Sequence, residues 1–125
     1  MAEFKRMSET EMEIMQRLWV QGTPLSTSEL LAYFNDEKEK RWKIQTISTF
    51  LSRLTEKGFV VPMQKGRGYI FTPAVTHAQY KSAEAKNVLD ELYDGSAKNF
   101  FAALYGGNLL TEKELTELKR LLAEK

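Results

Sequence analysis

The chain has 125 residues, 42% of them hydrophobic and 28% charged, with no cysteine and a formal net charge of +1. Such a composition belongs to an ordinary globular protein of one domain, or two small ones, and excludes a disordered tail, a disulfide framework and a thiolate metal site. The charge is uneven: residues 1–37 hold three Lys/Arg against seven Asp/Glu, residues 38–67 hold eight against two, and residues 68–125 hold seven against eight.

In chain order, the polar N-terminus MAEFKRMSET carries no secretory signal. Four capping boxes, a Ser/Thr followed three residues later by Glu/Gln, each precede an apolar-periodic segment and mark a helix start: Ser8 with Glu11, Ser26 with Glu29, Thr76 with Gln79, and Thr111 with Glu114. The first helix runs to about Val20, with Met12, Met15, Leu18 and Trp19 as its inner face, and stops at Gly22 and Pro24. The second runs from Thr27 to about Asn35 and buries Leu30, Leu31 and Phe34. A charged loop, DEKEKR, leads to a third helix from about Lys43 to Lys57, which Gly58 ends.

FVVPM at Phe59–Met63 and YIFT at Tyr69–Thr72 are β-type runs, and QKGRG between them supplies turn glycines and two cations. The pair predicts a hairpin whose first strand lies at an edge, because Pro62 cannot donate to a ladder. Helices then cover about His77–Leu92, Ser96–Leu104 and Glu112–Ala123. The apolar run Phe100–Gly107 is far too short to span a bilayer, so the expectation is a soluble cytoplasmic protein with no membrane insertion.

The predicted architecture is mainly α with a small β-hairpin wing. A winged helix-turn-helix DNA-binding domain occupies residues 1–75, and a three-helix dimerisation domain occupies residues 76–125. The last three helices carry Tyr80, Val88, Leu89, Leu92, Phe100, Phe101, Leu104, Leu115, Leu118, Leu121 and Leu122. This is more apolar surface than three short helices cover by themselves, and exposed patches of that size mark an interface.

The third helix carries the chemistry. On a helical wheel Ile44, Ile47, Phe50, Leu51 and Leu54 share one arc. Trp42, Gln45, Thr46, Thr49, Ser52 and Arg53 lie off it. Thr and Ser are mediocre helix formers, but short hydroxyl side chains let a backbone approach a DNA groove, bond phosphates or base edges and meet thymine methyls. Gln45 suits adenine, and Arg53 suits guanine or a phosphate. Lys43, Lys65 and Arg67, with Gly66 at the turn, would neutralise phosphates and give salt-dependent affinity. Trp42 either packs on the sugar-phosphate backbone or wedges the third helix against the second.

The segment resembles the bacterial penicillinase-repressor family of winged-helix regulators, the BlaI/MecI type with the copper-responsive CopY repressors as relatives. The matching residues are S-x-x-E-x-x-I-M-x-x-L-W at Ser8–Trp19, W-K-x-x-T-I-x-T-x-L-S-R-L at Trp42–Leu54, Lys57-Gly58, Gly66-Arg67, the Y-x-F-x-P close at Tyr69–Pro73 and L-x-E-L-x-x-L at Leu115–Leu121. The resemblance implies a homodimeric repressor of palindromic operator DNA, dimerised through its C-terminal helices. It implies DNA contacts at Lys43, Thr46, Thr49, Arg53 and the Gly66-Arg67 wing tip. In family members paired with a membrane sensor protease, repression ends by cutting an Asn-Phe step. A gapless alignment puts that step on Ala103-Leu104, whereas an Asn-Phe pair stands one helical turn earlier at Asn99-Phe100. The cysteine pairs of the copper relatives are missing, which excludes thiolate metal sensing.

An enzyme is not expected, nor a cofactor or metal. His77, the single histidine, lies beside a helix cap, and Gly66-Arg67-Gly68 is a turn rather than a phosphate-binding loop. The alternative is a winged-helix protein–protein docking module without specific DNA binding, which has no need of cations arranged about a hydroxyl face.

Overall fold

In the computed structural model, which describes residues 6–124, all four capping boxes form with both of their hydrogen bonds. They open α1 (Glu9–Gln21), α2 (Thr27–Asp36), α4 (His77–Tyr93) and α6 (Glu112–Ala123). Between them lie α3 (Ile44–Glu56) and α5 (Ala97–Gly106), the latter capped by the Ser96 hydroxyl accepting from the Asn99 N–H. Three strands complete the chain: β1 (Leu25–Ser26), β2 (Val60–Lys65) and β3 (Gly68–Pro73). They form one antiparallel sheet in the order β1-β3-β2.

The hairpin is thus present, with Pro62 on an edge strand, where its missing N–H interrupts nothing. Its loop is Gly66-Arg67, with Gly66 at φ +62°, the position that a II′ turn reserves for glycine. The two-residue strand β1 is not legible in the sequence. Leu25 and Ser26 pair with Phe71 and Ile70 because the end of α1 brings them beside β3, and Ser26 then caps α2.

The change from α3 to β2 is made by a Schellman motif. The Gly58 N–H donates to the Thr55 carbonyl and the Phe59 N–H to the Leu54 carbonyl, with Gly58 at φ +84°. Phe59 is thereby turned into the core, fully buried. Around it gather Ile14, Met15 and Leu18 of α1, Leu30 and Phe34 of α2, Ile47, Leu51 and Leu54 of α3, and Leu25, Val60, Phe71 and Val75. Two details correct the sequence reading. Ile14 is fully buried, while Met12 and Trp19 are only partly so. Ile44, on the apolar arc of α3, is 43% exposed because it lies in the first turn, at the rim of the core.

The chain divides into two compact units, one running to Glu84 and one from Ala85. The first is a winged helix-turn-helix. His77–Glu84 of α4 count with it, and Tyr80, expected among the dimerisation residues, is buried in its core against Trp19 and Phe59. The second unit holds the rest of α4 with α5 and α6, and none of its described residues is buried. Among the described residues, no helix is long and apolar enough to cross a membrane.

Candidate nucleic-acid interface

α3 presents two faces of opposite character. Ile47, Leu51 and Leu54 are buried, whereas Lys43, Gln45, Ser48, Thr49, Ser52 and Arg53 are exposed and Thr46 is half-buried. The hydroxyls do not all have the same role. The Thr49 hydroxyl donates to the Gln45 carbonyl at 2.9 Å, and that of Thr55 to the Leu51 carbonyl at 2.8 Å. Each proton is therefore held by the helix's own backbone, leaving the Thr49 oxygen lone pairs and methyl facing outward. Ser48 and Ser52 lie towards the wing, as does Thr55 with its proton held by the backbone. With Thr27, Pro62, Tyr69 and Phe71 they line a groove of about 420 Å³ between α3 and the hairpin.

The wing brings Lys65, Gly66 and Arg67 to an exposed tip. Lys65 lies near enough to α2 for its charge to act on Glu29. That carboxylate is held below its ordinary value mainly by the Ser26 backbone and hydroxyl donors, with Lys65 adding to them.

The structure thins out the basic third of the sequence. Of its eight cations, Lys40 is tied to Glu13 at 3.2 Å and Lys57 to Glu11 at 2.6 Å. The other six, Lys38, Arg41, Lys43, Arg53, Lys65 and Arg67, are exposed. Arg53 stands beside the Phe50 ring, 5.8 Å from its centre. Trp42 takes the wedge position: its ring packs between Phe34 and Phe50 at 4.9 and 5.6 Å. Its indole is therefore engaged with α2 and α3, a role the sequence left open against backbone packing on DNA.

A family model described as penicillinase repressor matches residues 7–124. The chain belongs to the penicillinase repressor family. The methicillin resistance regulatory protein MecI of Staphylococcus aureus strain N315 is 24% identical over 118 residues, which is 94% of each chain. A penicillinase repressor from Staphylococcus aureus is 26% identical over 115 residues, covering 92% of this chain and 89% of its own. Among solved structures, the DNA-binding domain of the repressor BlaI is 29% identical, with a TM-score of 0.54 over 64% of this chain and 94% of that one. The monomeric form of Bacillus licheniformis BlaI, solved in complex with the blaP half-operator, is 29% identical with a TM-score of 0.51 over the same shares. This is a family of transcriptional repressors, not of enzymes.

Within this family member, sequence reasoning missed the residues that hold the helix rather than line its outer face. Asn35 at the end of α2 embraces the backbone of Trp42. Its Oδ1 accepts from the Trp42 N–H at 2.7 Å, and its Nδ2 donates to the Trp42 carbonyl at 2.9 Å. Glu11, fully buried, accepts from Lys57 at the other end of α3. Burial pushes its carboxyl up, but the Lys57 ammonium and the Ser8 donors outweigh that and hold it below the ordinary 4.5. The only sequence signal was Glu11's place in a capping box, which by itself predicts an exposed residue.

Proposed function

We propose that the chain is a DNA-binding transcriptional repressor that acts in the cytoplasm as a homodimer on palindromic operators, with α3 in the major groove and the wing along the phosphates. The observation that carries this reading is the outer face of α3. Lys43, Gln45, Thr49 and Arg53 are exposed on a helix whose opposite side is sealed into the core, beside a wing ending in Lys65 and Arg67. Gln45 offers a paired donor and acceptor to an adenine edge and Arg53 a donor fork to a guanine edge, and Thr46 and Thr49 offer methyls and acceptors. Lys43, Lys65, the Gly66 amide and Arg67 meet phosphates. The complex of the relative BlaI with a half-operator supports the same use of the fold.

Dimerisation through the second unit is supported by its uncovered apolar side chains: Leu92, Leu109, Leu121 and Leu122 are each more than half exposed. Val88, Leu89, Phe100, Phe101, Leu104, Leu115 and Leu118 are half-buried within single helices and their near neighbours. Release by a membrane sensor protease would act on α5. Asn99-Phe100 and Ala103-Leu104 both lie inside that helix, so either bond must be freed from helical geometry before it is cut. A helix with no buried residue opens at small cost.

The test is an electrophoretic mobility shift of the full chain on the region upstream of its own gene. A complex that survives competitor DNA and weakens steeply with salt is expected. Absence of any sequence-preferring complex would leave the protein-docking reading in possession of the fold.

A further inference from the structure

The apolar face of α3 fixes which side of the helix is buried but not its tilt or its slide along the core. Burial of Ile47, Leu51 and Leu54 is a non-directional attraction, whereas a hydrogen bond has a preferred distance and weakens steeply as its angle closes. α3 carries such directional contacts at both ends. At its start the N-cap Lys43 makes no side-chain cap bond, and the restraint comes from α2 through the paired hydrogen bonds of Asn35 to the Trp42 backbone. Just before Trp42 the turn contains two non-glycine residues in the left-handed region, Glu39 at φ +54° and Arg41 at φ +59°. A turn of that shape persists only when its surroundings over-determine it. At the far end the Lys57 ammonium donates to the buried Glu11 carboxylate at 2.6 Å and to the Arg6 carbonyl at 3.1 Å. The Lys57 N–H, in turn, donates to the Arg53 carbonyl.

From this arrangement, which rests on the DNA-binding reading above, we infer that Asn35 and Glu11 are positioning residues for recognition: they set the angle and depth of α3, and so decide sequence discrimination without touching DNA. Every proposed base-reading side chain, Gln45 to Arg53, lies between the two anchored ends. Base-edge contacts demand fixed geometry, whereas phosphate contacts by flexible Lys and Arg do not. Loosening either end therefore removes specificity while leaving the electrostatic attraction in place.

The measurement compares Glu11→Ala, Glu11→Gln and Asn35→Ala in the full chain, well below each variant's unfolding midpoint. The probes are a duplex from the upstream region of the protein's own gene and a random-sequence duplex of equal length. Glu11→Ala and Asn35→Ala are each expected to weaken binding to the upstream duplex about tenfold or more, the size of a mispaired base contact. Random-duplex affinity and its salt slope should stay within about twofold. Glu11→Gln keeps the capping box and an acceptor for Lys57, and should recover most of the loss. If Glu11→Ala does not fold, Asn35→Ala decides the matter, since it leaves no buried charge behind. Equal losses on both duplexes, or unchanged discrimination in folded variants, overturn the inference. A wild-type chain that does not distinguish the duplexes overturns the DNA-binding reading as well, so the two failures are told apart by the parent protein.

Discussion

The two compact units are built from similar helices but differ in what those helices cover. In the first, α1, α2 and α3 each bury apolar residues in one core, and Ile14, Met15, Leu30, Ile47, Leu54 and Phe59 have no exposed surface at all. In the second, aromatic contacts such as Tyr93 with Phe100 are present, yet no described residue from Ala85 onward is buried. α6 has as regular a stripe as α3, with Leu115, Leu118 and Leu122 at helical spacing, yet covers it only in part: Leu115 and Leu118 are half-buried and Leu122 is exposed. The lesson is that amphipathic periodicity states that a face will be covered but not by what. One unit has its own core; in the other no described residue is fully covered.

The largest effect that could break this contrast is truncation after Leu92. It keeps every core residue of the first unit, so cooperative thermal unfolding should survive. Sizing should give a monomer, and operator affinity should fall by about 10²–10⁴-fold, the usual return from linking two sites. A truncated dimer would place the interface elsewhere. Next in size, Phe59→Ala should lower the stability of the first unit by about 3–5 kcal/mol in denaturant unfolding. Leu122→Ala should change it by less than about 0.5 kcal/mol while raising the concentration at which the dimer dissociates. Equal destabilisation by both would mean that the two units share a core.

Within the first unit, Arg53→Ala should weaken operator binding by about 1–3 kcal/mol with an unchanged melting temperature. A melting point lowered by several degrees would instead make Arg53 part of the packing beside Phe50. The smallest effect concerns acid. Glu11 titrates below its ordinary 4.5 in the folded chain, so the stability it contributes is present above that value and is lost as pH falls through the folded value. Unfolding curves taken on acidification should show this loss in the parent and a flatter dependence in Glu11→Gln. Identical slopes would mean that the Lys57 contact has no net effect.

Much of the fold was legible because its signals are local. A capping box joins residues three apart, a Schellman glycine acts on the turn before it, and Pro62 announces an edge strand through its missing donor. The polar stripe of α3 was legible for the same reason, since one helix defines its own faces. Illegible were β1, which exists only because β3 lies beside it, and the burial of Tyr80, which belongs by sequence to the C-terminal helices and by packing to the winged helix. The basic third was read correctly as a cluster but not as a division of labour, because nothing near Lys40 or Lys57 in the chain reveals Glu13 or Glu11.

By itself, then, the sequence determined where helices start and stop, which side of each is apolar, and which helix carries a hydroxyl-rich outer face. Only the tertiary structure decided how that face is held. Asn35 reaches seven residues along the chain and Glu11 forty-six to anchor the two ends of α3. Trp42 is spent as a wedge, and the Thr49 proton is kept by the backbone. The physical reason is one of range: propensity and capping act within a turn, whereas the direction of a buried hydrogen bond exists only after distant segments have met.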